Sequence, residues 1–189
     1  STLYAWDESL VKLGSEIIAQ RFELVQKIKP LVNKIYKQIS GDDREAEIAI
    51  VTSVLSSGID VDEEDGILTT TDREWIADKF RSRLDELKPR ELERGITLVG
   101  PHRDDLKLML GEFPAKGYIS YGEGWSYAIA LKLASAQLLR SESQTGDPIL
   151  ILDDVFSSLD DMRLQGLMNL ISDYEQVIIT DAIRGSQGI

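Results

Sequence analysis

A short apolar run, Ile149-Leu150-Ile151-Leu152, leads directly into two carboxylates, Asp153 and Asp154. Such a run is typical of a strand that is buried on both faces of a parallel sheet. Val177-Ile178-Ile179 is a second run of the same kind, and the segment from Asp160 to Asp173 between them has helical spacing of apolar residues. Strand, helix and strand over this length predict a parallel crossover and therefore an α/β fold.

The two carboxylates are candidate site residues, because α/β sheets bind their ligands at the carboxyl ends of the strands. Asp153 is a candidate Mg²⁺ ligand, since hard cations prefer oxygen. Asp154 would lie near an attacking water, as a general base or as a residue that orients the water. A helix cap that follows a buried strand would give the same pattern, and both interpretations stay open.

A second candidate element lies upstream, at Ser120-Tyr121-Gly122-Glu123-Gly124, just before a long helix rich in Ala and Leu that is predicted from Trp125 to Arg140. A hydroxyl and free backbone N–H groups at a helix N-terminus can bind an anion. Taken alone, this turn is more often an ordinary helix cap. Ser157-Ser158-Leu159-Asp160 follows the two carboxylates, and the order and spacing of these elements on one chain make the set specific.

The first forty residues predict a long helical arm, because apolar residues recur every three or four positions from Trp6 to Ile39. Pro30 is expected to kink or split this helix, since proline removes a backbone donor. Ser40-Gly41 ends the arm, and a strand is predicted from Glu47 to Thr52.

A second helix is predicted to open with a capping box of Thr71 and Glu74 and to end at Pro89. Short strands are predicted at residues 96–99 and 106–110. The predicted organisation is a helical arm with a small α+β subdomain in residues 1–95, followed by an α/β lobe in residues 96–189 that carries the candidate motifs.

Composition excludes several classes of protein. The 189 residues carry a net charge of −12, which argues against a free-standing nucleic-acid-binding sleeve. The absence of cysteine excludes disulfides and thiolate metal sites and fits a reducing, cytoplasmic location, and the single histidine excludes multi-histidine metal centres. No stretch has the roughly 18 apolar residues of a membrane span, so no membrane association is expected.

Four further segments bear on the family. Together with the motifs above they resemble the signature-bearing part of an ABC-type ATPase head of the SMC and Rad50 kind, and more closely the RecF family of bacterial DNA replication and repair proteins. The segments are Trp6-Asp7-Glu8-x-Leu10, Gly14-x-x-Ile17-Ile18-x-x-Arg21, Gly100-Pro101-His102-Arg103-Asp104-Asp105-Leu106 and Leu152-Asp153-Asp154-Val155-Phe156-Ser157-x-Leu159-Asp160.

The resemblance implies a signature motif at Ser120 to Gly124, a Walker B element at Ile149 to Asp154 and a D-loop at Ser157 to Asp160. Gly124 departs from the Gln or Glu of most ABC signatures, and Asp181 stands where many ABC ATPases have a switch histidine. The implied roles are ATP contact by Ser120, Gly122, Glu123 and Asp160, Mg²⁺ coordination by Asp153, and catalysis at the attacking water by Asp154.

The resemblance also implies a function for the full-length protein. ATP would drive homodimerisation, and the dimer would clamp double-stranded DNA near single-strand gaps and help to load recombinase with the mediators RecR and RecO. Recombinational gap repair, replication restart and the SOS response are the implied processes. The Gly-Lys pair of a Walker A motif occurs nowhere in this sequence. The chain is therefore expected to be a C-terminal part that does not hydrolyse ATP alone.

Two alternatives remain at the level of the sequence. Another ABC-type repair head, of the Rad50 or RecN kind, would require long heptad coiled coils, for which this arm is too short. A non-enzymatic interaction domain would instead use its acidic surface to bind a basic partner.

Overall fold

The chain alternates long helices with short strands. The computed structural model describes residues 2–58, 65–144, 146–155 and 159–180. The acidic stretch from Asp60 to Glu64, two D-loop residues (Ser157 and Ser158) and Asp181 lie outside the described residues. The elements are, in order, α1 (Thr2–Ser40), β1 (Ala46–Val51), α2 (Arg73–Arg94), β2 (Asp105–Leu110), β3 (Phe113–Pro114), α3 (Ala115–Tyr118), α4 (Tyr121–Glu142), β4 (Leu150–Asp153), α5 (Asp161–Ile171) and β5 (Val177–Thr180).

The strands form two sheets. One has the order β1-β2-β3, with β2 and β3 antiparallel. The other consists of β4 and β5, which pair in parallel with Asp153 opposite Thr180 and are joined through α5. The predicted α/β fold with a parallel strand pair around a helix is confirmed.

The chain divides into two compact units. The first unit comprises Ser1–Gln26 and Ile48–Lys107, and the second comprises Lys27–Glu47 and Leu108–Ile189. This division differs from the boundary after residue 95 that the sequence suggested, because α1 and the segment after it contribute to both units. The assignment of residues 1–95 and 96–189 to an arm and an ATPase lobe stays a prediction about functional parts.

Helix α1 is continuous for 39 residues, with Pro30 inside it, so Pro30 does not split the helix, and the alternative, a kink, stays a prediction. Buried side chains lie on both sides of the proline, at Ile28 and Val32, and their packing offsets the one backbone hydrogen bond that proline removes. Buried side chains recur every seven residues along one face of α1, at Val11, Ile18, Val25, Val32 and Ile39.

Helix α2 begins and ends at other residues than predicted. Its N-cap is Asp72 and not Thr71, and the Asp72 carboxylate accepts hydrogen bonds from the backbone N–H groups of Glu74 and Trp75. Pro89 does not end the helix, because it lies on the exposed face, where the carbonyl left without a donor can bind water. The helix ends at Gly95, whose φ of 66° is the left-handed conformation that glycine adopts at little cost.

Residues 96–99 are not a strand, although Leu98 and Val99 are buried. Side chains take the place of a strand partner here. The Leu98 N–H donates to the Glu91 carboxylate at 2.6 Å, and the Gly100 N–H donates to the Ser53 hydroxyl at 2.9 Å.

Strand β4 is buried on one face and not on both. Leu150 is buried, whereas Ile149 and Ile151 are 57% and 68% exposed, and Ile178 of the neighbouring β5 is 44% exposed. An apolar run of this kind therefore identified the strand correctly but not the burial of its second face. Within the described residues, no helix has the length and apolar character needed to cross a membrane.

Helix α5 packs against the last turn of α1 at Gly166. A Cβ atom at this position would lie 2.5 Å from the carbonyl oxygen of Gln38 and 2.9 Å from the Cα of Ile39. Both are backbone atoms, so no side-chain rotation could relieve the overlap. Leu167 and Ile171 bury the rest of the same helix face.

Gly166→Ala is therefore expected to destabilise the protein by about 1–3 kcal/mol, the usual cost of overpacking. The measurement is the free energy of unfolding in urea. Gln165→Ala, at the exposed neighbouring position, is the matched control and should change it by no more than about 0.5 kcal/mol. Equal stability of the two variants would contradict the close approach of α5 to α1.

Candidate functional site

The predicted signature turn forms the N-terminus of α4. Ser120 is the N-cap, and its hydroxyl accepts a hydrogen bond from the Glu123 N–H at 3.3 Å. The Ser120 N–H in turn donates to the Glu123 carboxylate at 2.7 Å, which completes a capping box. The Ser120 side chain also hydrogen-bonds the Glu123 carboxylate.

Arg44, which the sequence did not indicate, neutralises the signature glutamate. Its guanidinium forms an ion pair with Glu123 and also binds Asp42, with 2.6 Å between Arg44 Nε and Asp42 Oδ2. The hydrogen bond from Arg44, followed by that from the Ser120 N–H, lowers the pKa of Glu123 to about 2. Arg44 is 79 residues from Glu123 in sequence, so no local pattern could have joined them.

A second arginine joins the signature turn to the residue that ends the predicted D-loop. Asp160 is the N-cap of α5 and accepts a hydrogen bond from the Arg163 N–H at 2.9 Å. The Arg163 guanidinium pairs with the Asp160 carboxylate and also lies beside Gly122, where an added Cβ would be 3.5 Å from it. The backbone bond from Arg163 lowers the pKa of Asp160. The structure thus brings Gly122 and Asp160 to the same arginine.

The predicted Walker B carboxylates lie at the carboxyl end of β4. Asp153 accepts a hydrogen bond from the Thr180 hydroxyl, the residue opposite it on β5. The Asp154 N–H donates to the carbonyl oxygen of Thr180 at 3.2 Å. Asp154 has a φ of 50°, a left-handed conformation that costs a residue other than glycine roughly 1–2 kcal/mol. Both carboxylates are exposed.

Helix α4 and strand β4 line a groove of about 520 Å³. Its walls include Trp125, which directly follows the signature turn, and Ile151 and Asp153 of the Walker B strand. The groove is mainly apolar, and Lys132 and Asp153 are its charged side chains.

Within the described residues, no three His, Asp or Glu side chains come close enough together to hold a metal ion. Mg²⁺ is commonly bound through one or two carboxylates together with substrate phosphates. Asp153 would supply one such carboxylate, and the Thr180 hydroxyl donates to it.

In the string Gly100-Pro101-His102-Arg103-Asp104-Asp105-Leu106, the first five residues form a turn in the first unit and the last two begin β2. The Asp104 carboxylate accepts the Ser53 N–H at 3.1 Å, and burial raises the pKa of Asp104. Its cationic neighbour is Arg21, at 3.9 Å. Arg103 donates to the carbonyl oxygen of Thr97 at 3.3 Å.

The low pKa of Glu123 predicts a pH-dependent contribution to stability. Because the folded-state pKa lies below the ordinary value of 4.5, the contribution is complete above that value and is lost as the pH falls towards 2. Glu123→Gln should lower the free energy of unfolding at pH 7 by roughly 1.5 kcal/mol, the contribution of a hydrogen bond to a charged group.

The difference between Glu123→Gln and the wild type should narrow steadily when unfolding is measured at falling pH from 5 to 2. Glu112→Gln, at an exposed turn position, is the control and should follow the wild type throughout. A penalty that is the same at pH 3 and pH 7 would contradict the ion pair.

No family model matches the chain, whereas curated proteins and solved structures do. "DNA replication and repair protein RecF" of Clavibacter sepedonicus is 47% identical over 97% of the chain and 46% of the relative, and that of Streptomyces avermitilis is 42% identical over 97% and 45%. The chain thus spans about half the length of the curated relatives it matches.

Solved structures give the same result. "Structure of the recombination mediator protein RecF-ATPrS in RecFOR pathway" matches with a TM-score of 0.75 at 28% identity, over all of this chain and 47% of the other. The corresponding "RecF-ATP" structure matches with a TM-score of 0.74 at 28% identity, over 99% of this chain and 48% of the other. The predicted resemblance is confirmed over nearly the whole chain, and the chain belongs to the RecF family.

Proposed function

We propose that this chain supplies the signature and Walker B elements of an ATP-dependent DNA-binding clamp that acts in recombinational gap repair and replication restart. The observation that carries the proposal is the pairing of an exposed Ser120 at the N-terminus of α4 with exposed Asp153 and Asp154 at the carboxyl end of β4. These are two of the elements that a shared nucleotide site requires, and a Walker A element would complete it.

The signature turn is suited to contact a phosphate group. The first N–H groups of α4 and its dipole favour an anion at this end of the helix, and the Ser120 hydroxyl can donate a hydrogen bond. In the proposed dimer, Ser120 and Gly122 contact ATP held by the other subunit. Nucleotide binding then drives association, because the bound state is the dimer.

The Walker B end supplies the metal ligand and the residue near the water. Asp153 would hold Mg²⁺, which shields the charge of the phosphates when it is bound. The Thr180 hydroxyl orients the Asp153 carboxylate by donating to it. The hydrogen bond from the Asp154 N–H to the Thr180 carbonyl oxygen fixes the position of the Asp154 backbone. We propose that the Asp154 carboxylate orients or deprotonates the attacking water.

The partners of the clamp are proposed from the family. The comparison structures are described as a recombination mediator in the RecFOR pathway, and two relatives as DNA replication and repair proteins. We propose double-stranded DNA near single-strand gaps as the ligand of the dimer, and RecR and RecO as its protein partners. The net charge of −12 makes DNA binding by this chain alone unfavourable, and we propose that other parts of the full-length protein supply the basic surface.

The isolated chain is expected not to hydrolyse ATP, because its sequence has no Gly-Lys pair that could cradle the β- and γ-phosphates. Phosphate release by the purified chain should equal that of a buffer blank. Steady turnover that Asp153→Ala abolishes would contradict the expectation, since it would show a complete site in this chain.

In the full-length protein, Ser120→Arg and Asp154→Asn should have opposite effects. Ser120→Arg should leave ATP binding by the monomer within about twofold but abolish ATP-dependent dimerisation, because its bulk displaces the phosphate of the other subunit. Asp154→Asn should let ATP-bound dimers form and accumulate, because it removes only the carboxylate near the water.

The measurement is the dimer fraction as a function of ATP concentration, by light scattering. Ser135→Arg, at an exposed position further along α4, is the control for added bulk and charge and should dimerise as the wild type does. Normal dimerisation of Ser120→Arg together with none by Asp154→Asn would show that the two motifs are wrongly assigned.

A further inference from the structure

A continuous series of hydrogen bonds connects the end of α1 to the signature turn. It begins at Ser40, whose hydroxyl donates to the Tyr36 carbonyl oxygen at 2.9 Å and accepts the Asp42 N–H at 3.1 Å. Asp42 is thereby attached to the last turn of α1. This turn is itself held by the close approach of α5 at Gly166.

The Asp42 carboxylate orients Arg44. One oxygen accepts the Arg44 N–H at 2.9 Å, and the other accepts Arg44 Nε at 2.6 Å. Two bonds from the same residue restrict both the backbone and the guanidinium plane. A planar guanidinium held in this way presents its remaining donors in one direction.

That direction is the signature turn. Arg44 Nη2 donates to Oε1 of Glu123, while Oε2 of the same carboxylate accepts the Ser120 N–H at 2.7 Å. The two oxygens of one carboxylate therefore join the arginine to the backbone of the signature serine. Among the described residues, no other hydrogen bond or ion pair joins the segment after α1 to Ser120 or Glu123.

We propose that Arg44 is a positioning residue, which holds the Glu123 carboxylate and thereby fixes the signature turn relative to the end of α1. The proposal rests on the proposed role of Ser120 in contacting nucleotide. Movement of the last turn of α1 reaches the Ser120 backbone through Asp42, Arg44 and Glu123. ATP-dependent dimerisation should then depend on Arg44 through the position of Glu123 and the Ser120 backbone.

Local amide exchange separates this role from a purely structural one. The side chains of Arg44 and Glu123 are 42% and 17% exposed. Loss of Arg44 removes the same ion pair as Glu123→Gln, so it should lower the free energy of unfolding by no more than that variant does. Increased exchange confined to the signature turn would therefore report the position of the turn and not global unfolding.

The first experiment follows the turn itself in this 189-residue chain. Arg44→Met should raise the amide exchange rates of Ser120 and Glu123 on the order of tenfold, because the capping carboxylate is no longer held. The pKa of Glu123, followed by NMR, should rise from about 2 towards its ordinary value. The urea midpoint should fall by no more than it does in Glu123→Gln.

Two variants make the comparison specific. Arg44→Lys keeps the charge but loses the planar fork that reaches Asp42 and Glu123 together, so its exchange rates should lie between those of Arg44→Met and the wild type. Lys29→Met removes another exposed ion pair, which Lys29 forms with Glu47. This variant should leave the amide exchange rates of Ser120 and Glu123 unchanged.

The second experiment uses the full-length protein. Arg44→Met should raise the ATP concentration for half-maximal dimerisation about tenfold. This is the same factor as the expected rise in the amide exchange rates of Ser120 and Glu123. Arg44→Lys should restore part of this shift, and Lys29→Met should cause none.

Two results would overturn the proposal: unchanged exchange at Ser120 and Glu123 in Arg44→Met, or increased exchange with an unaltered ATP response. Failure of the wild type to dimerise with ATP would instead refute the proposed function. The exchange rates and the titration of Glu123 would still decide whether Arg44 positions the turn, so the two failures are distinguishable.

Discussion

The contact on which the second unit depends is the backbone-to-backbone approach of α5 to the last turn of α1. At Gly166 there is no room for a side chain, since the Gln38 carbonyl oxygen and the Ile39 Cα occupy its place. Helix α5 is also the connection between the parallel strands β4 and β5, and its N-cap is Asp160. The depth at which α5 packs therefore determines where Asp160 and Arg163 lie beside Gly122 of the signature turn.

Much of this fold follows from local sequence. The apolar runs at 149–152 and 177–179 identified the parallel strands, because backbone propensity acts within a few residues. The small-residue segment before Trp125 marked the N-terminal region of α4, but the helix begins at Tyr121 and not at Trp125, with Ser120 as its cap. The errors concern residues whose effect depends on the surroundings. Pro89 was expected to end α2, yet it lies on an exposed helix face, and Ile151 was expected to be buried, yet its side of β4 is open.

The candidate site divides in the same way. Ser120 and Glu123 could be predicted, since a capping box is a pattern of spacing three, and Asp153 could be predicted from the strand before it. Arg44 and Arg163 could not. The partner of Arg44 is 79 residues away, and the approach of Arg163 to Gly122 depends on how α5 packs against α1. Nothing in either local sequence distinguishes these arginines from ordinary surface cations.

These two arginines also reduce an electrostatic repulsion that the proposed ATP contact would otherwise meet. Two of the four residues assigned to ATP contact, Glu123 and Asp160, are acids, and an unpaired carboxylate beside a polyphosphate would repel it. Each acid is paired: Glu123 with Arg44 and Asp160 with Arg163. The Ser120 hydroxyl accepts the Glu123 N–H, and the Ser120 side chain also hydrogen-bonds the Glu123 carboxylate, so a contact with phosphate would exchange one of these bonds. Because both acids are paired, a helix cap and a nucleotide contact, which the sequence presents as alternatives, are compatible in the same turn.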